Sequence, residues 1–484
     1  MKREHRDPYQ TTLARIRLRR VRVSEQRGVA LVLVLGALAI LAVLLTEFQD
    51  ETSADLGQAL SERDGTKAEY AARSAINLSR LLIASEPTIR KAIAPLFMMM
   101  RSGPPQIPVW AFADQVLGAF NDKAGQSLFH SLGGFDLSES KNLGLGGAGF
   151  EVTVVDEDSK LNFNTAAKGD AFSQQRLATQ ILGLLAGPQF NTLFEERDSS
   201  GDFNSRQDIC SAVIDWTDPD SDISPCDISG QFVASGSEDA YYQLLDPPYQ
   251  RKNAALDSLE ELHLVRGVSD DFWSAFIEPK PADPRARSVT VWGQGKVNVN
   301  SANAQTILGL ICGSAVEGTK LCMDADEQMK FLSVVGLLTS MMPGIPVFPS
   351  PKAFVSALQG GGMFGAVMKS LEMEPIKFRS DDELIKAVTT ESKVFSVYAT
   401  GIVSSGTRRT IRRLHAVVDF RGAPAPIDPF KGVSGDQPLS LEQAQARVAE
   451  ASPKAELPEG GSEASFANAF KPDPAGRVIY FRVE

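Results

Sequence analysis

From Val29 to Leu45 the chain reads VALVLVLGALAILAVLL, seventeen residues without a polar side chain. In hydrocarbon every backbone N–H and C=O must be paired within the segment, so a single run like this crosses as a helix. Seventeen residues are the lower limit for the bilayer core. Basic residues precede the run and Glu47, Asp50 and Glu51 follow it, which keeps residues 1–28 in the cytoplasm and sends the rest outside. Residues 1–28 hold nine Lys/Arg against three acids, a net +6; the chain as a whole is at -11, so the remainder carries -17. A body this acidic suits cations or basic partners and opposes binding to a phosphate backbone.

The helix does not stop at the membrane. No Pro occurs from Thr46 to about Ala84, and Gly only at 57 and 65. Ala68, Ala71, Ala72, Ala75, Ile76 and Leu78 follow helical spacing. A secretory signal requires a shorter apolar core with a small-residue cleavage site behind it, and TEFQDETSAD is a poor one. A plain single-pass anchor accounts for the hydropathy. A third reading starts from Arg27-Gly28 directly before the run: a cut there, on the cytoplasmic side, leaves the helix attached as a new amino terminus. The amphipathic continuation favours this third reading.

Five stretches carry a resemblance in order along the chain. They are RGVALVLVLGALAILAVL, VTVVDEDSKLNFNTA (152–166), SAVIDWTDPDSD (211–222), YQRKNAALDSLEELHLVRGV (249–268) and VNVNSANAQTILGL (297–310). Together they resemble the minor pseudopilin K (GspK) family of type II secretion systems. Most pilins carry Glu at the fifth mature position, where its charge pairs with a neighbouring amino terminus; here that position is Leu33. A buried charge needs a partner, and a subunit with nothing ahead of it needs no such Glu. The resemblance therefore implies a non-enzymatic tip subunit of the pseudopilus, helping to start its assembly and export folded proteins across the outer membrane. It implies cleavage by a prepilin peptidase between Gly28 and Val29, an inner-membrane anchor with a periplasmic body, and partnership with minor pseudopilins I and J.

The expected fold is α+β, a pilin-like long helix on an antiparallel sheet interrupted by a large helical insertion. The expected boundaries are 1–28 leader, 29–85 helix, 86–160 start of the pilin-like domain, and 161–283 first helical unit. A strand with a second helical unit follows at 284–390, and the closing strands at 391–484. FEVTVV (150–155), 394–404 and 408–420 alternate like strands, with Ser405-Gly406 as a hairpin turn. Residues 422–475 read as a Pro/Gly-rich loop, and GRVIYFRVE as an edge strand. LNFNTA and VNVNSA each precede a helical run, a weak internal repeat in which the Asn pairs 162/164 and 298/300 cap and satisfy turns.

Asp215, Asp218, Asp220 and Asp222 fall within eight residues, bracketed by Cys210 and Cys226. Hard oxygen ligands in this number suit calcium, though Pro219 and Ser221 break the EF-hand pattern; a solvated acidic loop is the other reading. The resemblance implies calcium binding in this region, carried by Asp218, Asp220, Glu238 and Asp239, with Asn253 as a further oxygen donor. The close pairs Cys210/Cys226 and Cys312/Cys322 allow disulfides in an oxidising compartment; four unpaired thiols are the alternative.

Enzymatic function finds no support: four histidines stand apart from any G-x-S-x-G, and no P-loop or dinucleotide glycine pattern appears. The paired helical units resemble helix-hairpin-helix modules, which raises a DNA-binding competence pseudopilin as the alternative, beside a generic single-pass membrane protein. The candidate turn reads VRGVSDD, with two acids, and the -17 body opposes phosphate. Arg408, Arg409, Arg412 and Arg413 form the one basic strand patch.

Overall fold

The computed structural model describes residues 27–98, 104–121, 147–227, 239–281, 283–341, 346–424 and 473–484. The chain divides into two units, Met1–Asp64 and Gly65–Glu484. Helix α1 runs from Arg27 to Met98, further than the expected end near residue 85. Pro87 removes one helical hydrogen bond and crowds the preceding turn, which usually ends a helix. Here Arg90 grips both oxygens of the buried Glu86 carboxylate at 2.9 Å, and Glu86 also accepts the backbone N–H of Ile107. These contacts hold the helix through the proline.

Eight strands are present among the described residues. They are β1 (Ala148–Asp156), β2 (Leu161–Asn162), β3 (Val289–Thr290), β4 (Val297–Asn298), β5 (Val388–Thr389), β6 (Val394–Ser405), β7 (Arg408–Asp419) and β8 (Arg477–Val483). Four form an antiparallel sheet in the order β1-β6-β7-β8. Period-two alternation puts Phe150, Val152 and Val154 on one face with Phe395, Val397 and Ala399, and with Leu414, Ala416 and Val418. That face packs on Ala68, Ala71, Ala72, Ala75 and Ile76 of α1. Small side chains on the helix bring its backbone close. At Gly401 of β6 a Cβ would overlap the carbonyl of Ala68, so only glycine fits. The pilin-like α+β fold expected from the sequence is what the chain adopts.

Between β1 and β6 lies a separate hydrophobic core, with members from Leu161 to Val388. Its plan repeats. β2 pairs with β3 and β4 with β5, both parallel. Asn162 and Asn298 each accept the backbone N–H two residues on, at 2.9 and 3.0 Å. The second Asn of each pair clamps a distant loop through both ends of its amide. Asn164 bonds the backbone N–H and C=O of Leu256 and the C=O of Val291; Asn300 bonds the N–H and C=O of Phe348. A helix follows each clamp, Ala171–Leu185 and Ala304–Ser314, capped by Asp170 and Asn303. The two helices cross with backbones in contact: a Cβ on Gly183 would overlap the carbonyl of Gly309, and one on Gly313 that of Thr179.

The chain enters this insertion at 156–161 and returns to the sheet at 388–394, and buried charges tie the crossing. The Asp158 carboxylate accepts the backbone N–H groups of Gln294, Lys393 and Val394 at 2.8, 2.7 and 3.1 Å, and the Gln294 side chain at 3.1 Å. Asp156 accepts the hydroxyls of Ser301 and Ser392. Burial, then the neighbouring Asp158 charge, pushes the Asp156 carboxyl up to about 7. Lys160 reaches both oxygens of Glu157 at 3.1 Å, with each side chain 1% exposed. Burial alone would raise Glu157, but the Lys160 ammonium together with hydrogen bonds from Ser396 and Thr290 holds the carboxyl below its ordinary range.

Removing one partner of a buried pair strands the other charge. Lys160→Met is expected to cost about 3–5 kcal/mol in denaturant unfolding, and Glu157→Gln added to it recovers much of that loss. A single Lys160→Met that unfolds like wild type contradicts this account.

Candidate membrane helix and cation site

Between Val29 and Leu45 every residue of α1 is exposed, with Val29 at 60% and Leu33 at 68%. Among the described residues of the first unit no core covers this surface. Among the described residues α1 is the one helix long and apolar enough to cross a membrane. Gly28 lies in its first turn, with nothing within 4 Å of a Cβ placed there.

The helix Arg206–Thr217 starts from a reciprocal cap, Ser205 with Asp208, and ends at Asp218, whose extended backbone turns the chain away. Its buried face, with Ile209, Val213, Ile214 and Trp216, belongs to the insertion core. A disulfide from Cys210 to Cys226 ties the following turn back onto the helix, and a second joins Cys312 to Cys322. Two hydrogen bonds reinforce the first tie: Ser211 donates to Ser224 O at 2.6 Å, and Ser224 N–H donates to Asp215 Oδ1 at 2.8 Å.

Asp218 is 1% exposed. Its Oδ2 accepts the Gln174 amide at 3.0 Å, whereas the buried Oδ1 has no hydrogen-bond partner. The same Gln174 nitrogen lies 3.2 Å from Asp220 Oδ2, so one amide bridges two carboxylates. Arg251, buried nearby, donates Nε to Asp239 Oδ1 at 3.1 Å, Nη1 to Asp215 O at 2.8 Å and Nη2 to Asp220 O at 3.1 Å. Burial pushes Asp215 up to about 7; the Ser224 hydrogen bond and Arg251 oppose it, and the Asp218 and Asp220 charges add to it. Burial and the Asp220 charge push Asp218 up to about 6.

The structure thus brings Asp218, Asp220 and Asp239 around Arg251 and Gln174. Asn253 sits two residues beyond Arg251, exposed and at φ 49°. Glu238 lies outside the described residues. Among the described residues no three His, Cys, Asp or Glu side chains gather as a ready metal cage. The orphaned Asp218 Oδ1 still fits a hard cation: a buried carboxylate oxygen without a donor is costly, and an ion satisfies it. Gln174 and Arg251 escaped the sequence reading. Arg251 lay within the quoted YQRKN stretch, while Gln174 carries no local signal, being 44 residues upstream of Asp218 on another helix.

Residues 159–277 match the family described as type II secretion system (T2SS), protein K. Over this segment the resemblance to the protein K family holds. The match contains the Asn162 turn, the acidic turn and Arg251. A 62-residue segment is 44% identical to type II secretion system protein K of Aeromonas hydrophila, covering 13% of this chain and 16% of that protein. The chain therefore spans about one sixth of that relative's length. The crystal structure of the GspK-GspI-GspJ complex from enterotoxigenic Escherichia coli contains a chain similar at 12% identity and TM-score 0.43, over 88% of this chain and 99% of that one.

The arginines expected as a basic patch, Arg408, Arg409, Arg412 and Arg413, are exposed on β7. Strand alternation sends Arg408 and Arg412 to one face and Arg409 and Arg413 to the other, so they form no single phosphate-binding stripe.

The raised carboxyls give a pH signature. Asp215 and Asp218 contribute stability that is present below about pH 4 and is lost as pH rises through about 6 and 7. Without added cation, Asp218→Asn is expected to stabilise the protein at pH 8 by about 2 kcal/mol and to flatten the decline above pH 5. Thermal unfolding from pH 4 to 8 checks this; a variant that declines as steeply as wild type contradicts it.

Proposed function

We propose that this protein is a non-enzymatic minor pseudopilin at the tip of a type II secretion pseudopilus, helping to initiate its assembly and to export folded proteins across the outer membrane. The observation that carries the reading is α1. Its first part exposes an uninterrupted apolar surface from Val29, and its later part is buried on a four-stranded antiparallel sheet. An apolar exposed helix needs hydrocarbon or neighbouring helices around it. Both are supplied by the inner membrane and by minor pseudopilins I and J, the partners that similarity to protein K points to.

A prepilin peptidase would cut between Gly28 and Val29, leaving the body anchored on the periplasmic side. Leu33 supports a terminal position, since a neutral side chain there leaves no carboxylate to pair with a preceding subunit. The insertion, bulky and built on its own core, would cap the fibre against further addition. Calcium would be held by Asp218 and Asp220, with Glu238, Asp239 and Asn253 as further oxygen donors. When bound, it supplies the positive charge that lets buried carboxylates ionise at neutral pH.

Mass spectrometry of the membrane-extracted protein tests the processing step. The expected chain starts at a methylated Val29; an intact Met1, or a cut after Leu45, overturns the pseudopilin reading. Co-purification of the full chain with I and J subunits, with and without a calcium chelator, tests the partners. Retention of both subunits in calcium and weakened retention in chelator is the expected outcome.

A further inference from the structure

The acidic turn needs something to hold it before any cation arrives. The chain leaves the helix Arg206–Thr217 at Asp218 with extended backbone, and the charges of Asp215, Asp218 and Asp220 act on one another there. Left to themselves they repel and spread. We infer that Arg251 is a positioning residue that preforms this turn for a cation. The inference rests on the cation reading above and goes beyond it.

The argument lies in how the guanidinium is used. It is 7% exposed, and its three nitrogens reach three separate segments: the Asp215 carbonyl in the helix, the Asp220 carbonyl in the turn, and the Asp239 carboxylate at the start of the next element. Two of these acceptors are backbone oxygens, so the contact fixes where the chain runs. The Asp218 and Asp220 side chains share the neutral Gln174 amide. A rigid planar fork can span acceptors spread in this way, whereas a lysine ammonium is a point charge on a flexible stem. The far end of the turn is tied independently, by Cys210–Cys226 and Ser224. Arg251 also brings a positive charge close to the site, which by itself weakens cation binding. The two effects have opposite signs, so substitution separates them. Arg251→Lys keeps the charge and removes the fork; Arg251→Ala removes both.

The test uses the detergent-solubilised full chain and calcium chloride as the probe. Calorimetric titration is expected to show at least tenfold weaker calcium binding for Arg251→Lys and for Arg251→Ala. Circular dichroism checks that each variant is folded. Hydrogen exchange on the wild-type protein needs no variant: without calcium, the amides of residues 220–224 are expected to exchange at least tenfold more slowly than unstructured chain. Binding by Arg251→Lys within twofold of wild type, or tighter binding by Arg251→Ala, overturns the positioning role alone. So does a wild-type turn that exchanges at unstructured rates until calcium is added. Wild-type protein that gives no calcium heat overturns the cation reading itself, whatever the exchange rates show.

Discussion

Asp158 is a single carboxylate on which two hydrophobic cores depend. It accepts three backbone N–H groups and one side-chain amide, from Gln294 of the insertion, from Lys393 and from Val394 at the start of β6. Each of these N–H groups points to the carboxylate rather than to a neighbouring strand, and that of Val394 is buried. Without the carboxylate the Val394 N–H would be an unpaired buried donor, costing about 1–3 kcal/mol. Asp156 and the Glu157–Lys160 pair complete the same crossing. The result is a polar joint, where an apolar one would leave these donors unsatisfied. It fixes the sheet strands in register while the intervening two hundred-odd residues fold elsewhere.

The insertion solves a different problem by repetition. A two-residue parallel strand pair has little stability of its own. Each pair here is followed by an Asn whose amide closes a loop returning from far along the chain, and by a helix buried against its counterpart. The glycine crossing between the helices lets backbones touch, so one half-core becomes the lid of the other. Two units that would each be marginal alone share one apolar interior.

Legibility in the sequence followed the range of the interaction. The membrane run, the hairpin of β6 and β7, the edge strand β8 and the two Asn turns all announce themselves within a dozen residues, through period, turn chemistry or caps. Leu33 could be weighed because its position is counted from Gly28. The passage of α1 through Pro87 was not legible, since Glu86 is held there by Arg90 and by the backbone of Ile107, a chain segment twenty residues away. Gln174 and Arg251 were invisible for the same reason: a lone amide or guanidinium gains meaning only when folding sets it beside Asp218 and Asp220. The acidic composition drew attention to the carboxylates and away from the cation that organises them. The Pro/Gly-rich loop 422–475 lies almost wholly outside the described residues, as does Glu238.

The contact at Gly401 also has a mechanical side. Helix and strand meet there backbone to backbone, with an alanine row on one side and the centre of the sheet on the other. Such a seam has no long side chains to bend, so it has little compliance. A load applied along α1 passes into β6, where it shears the β1–β6 and β6–β7 hydrogen-bond ladders together instead of peeling them singly. Arg80, bonded to the carbonyls of Ala475 and Gly476 and to Asp473, carries part of that load to the start of β8. Within the second unit the sheet is thus stiffly coupled to the helix segment from Ala68 to Ile76.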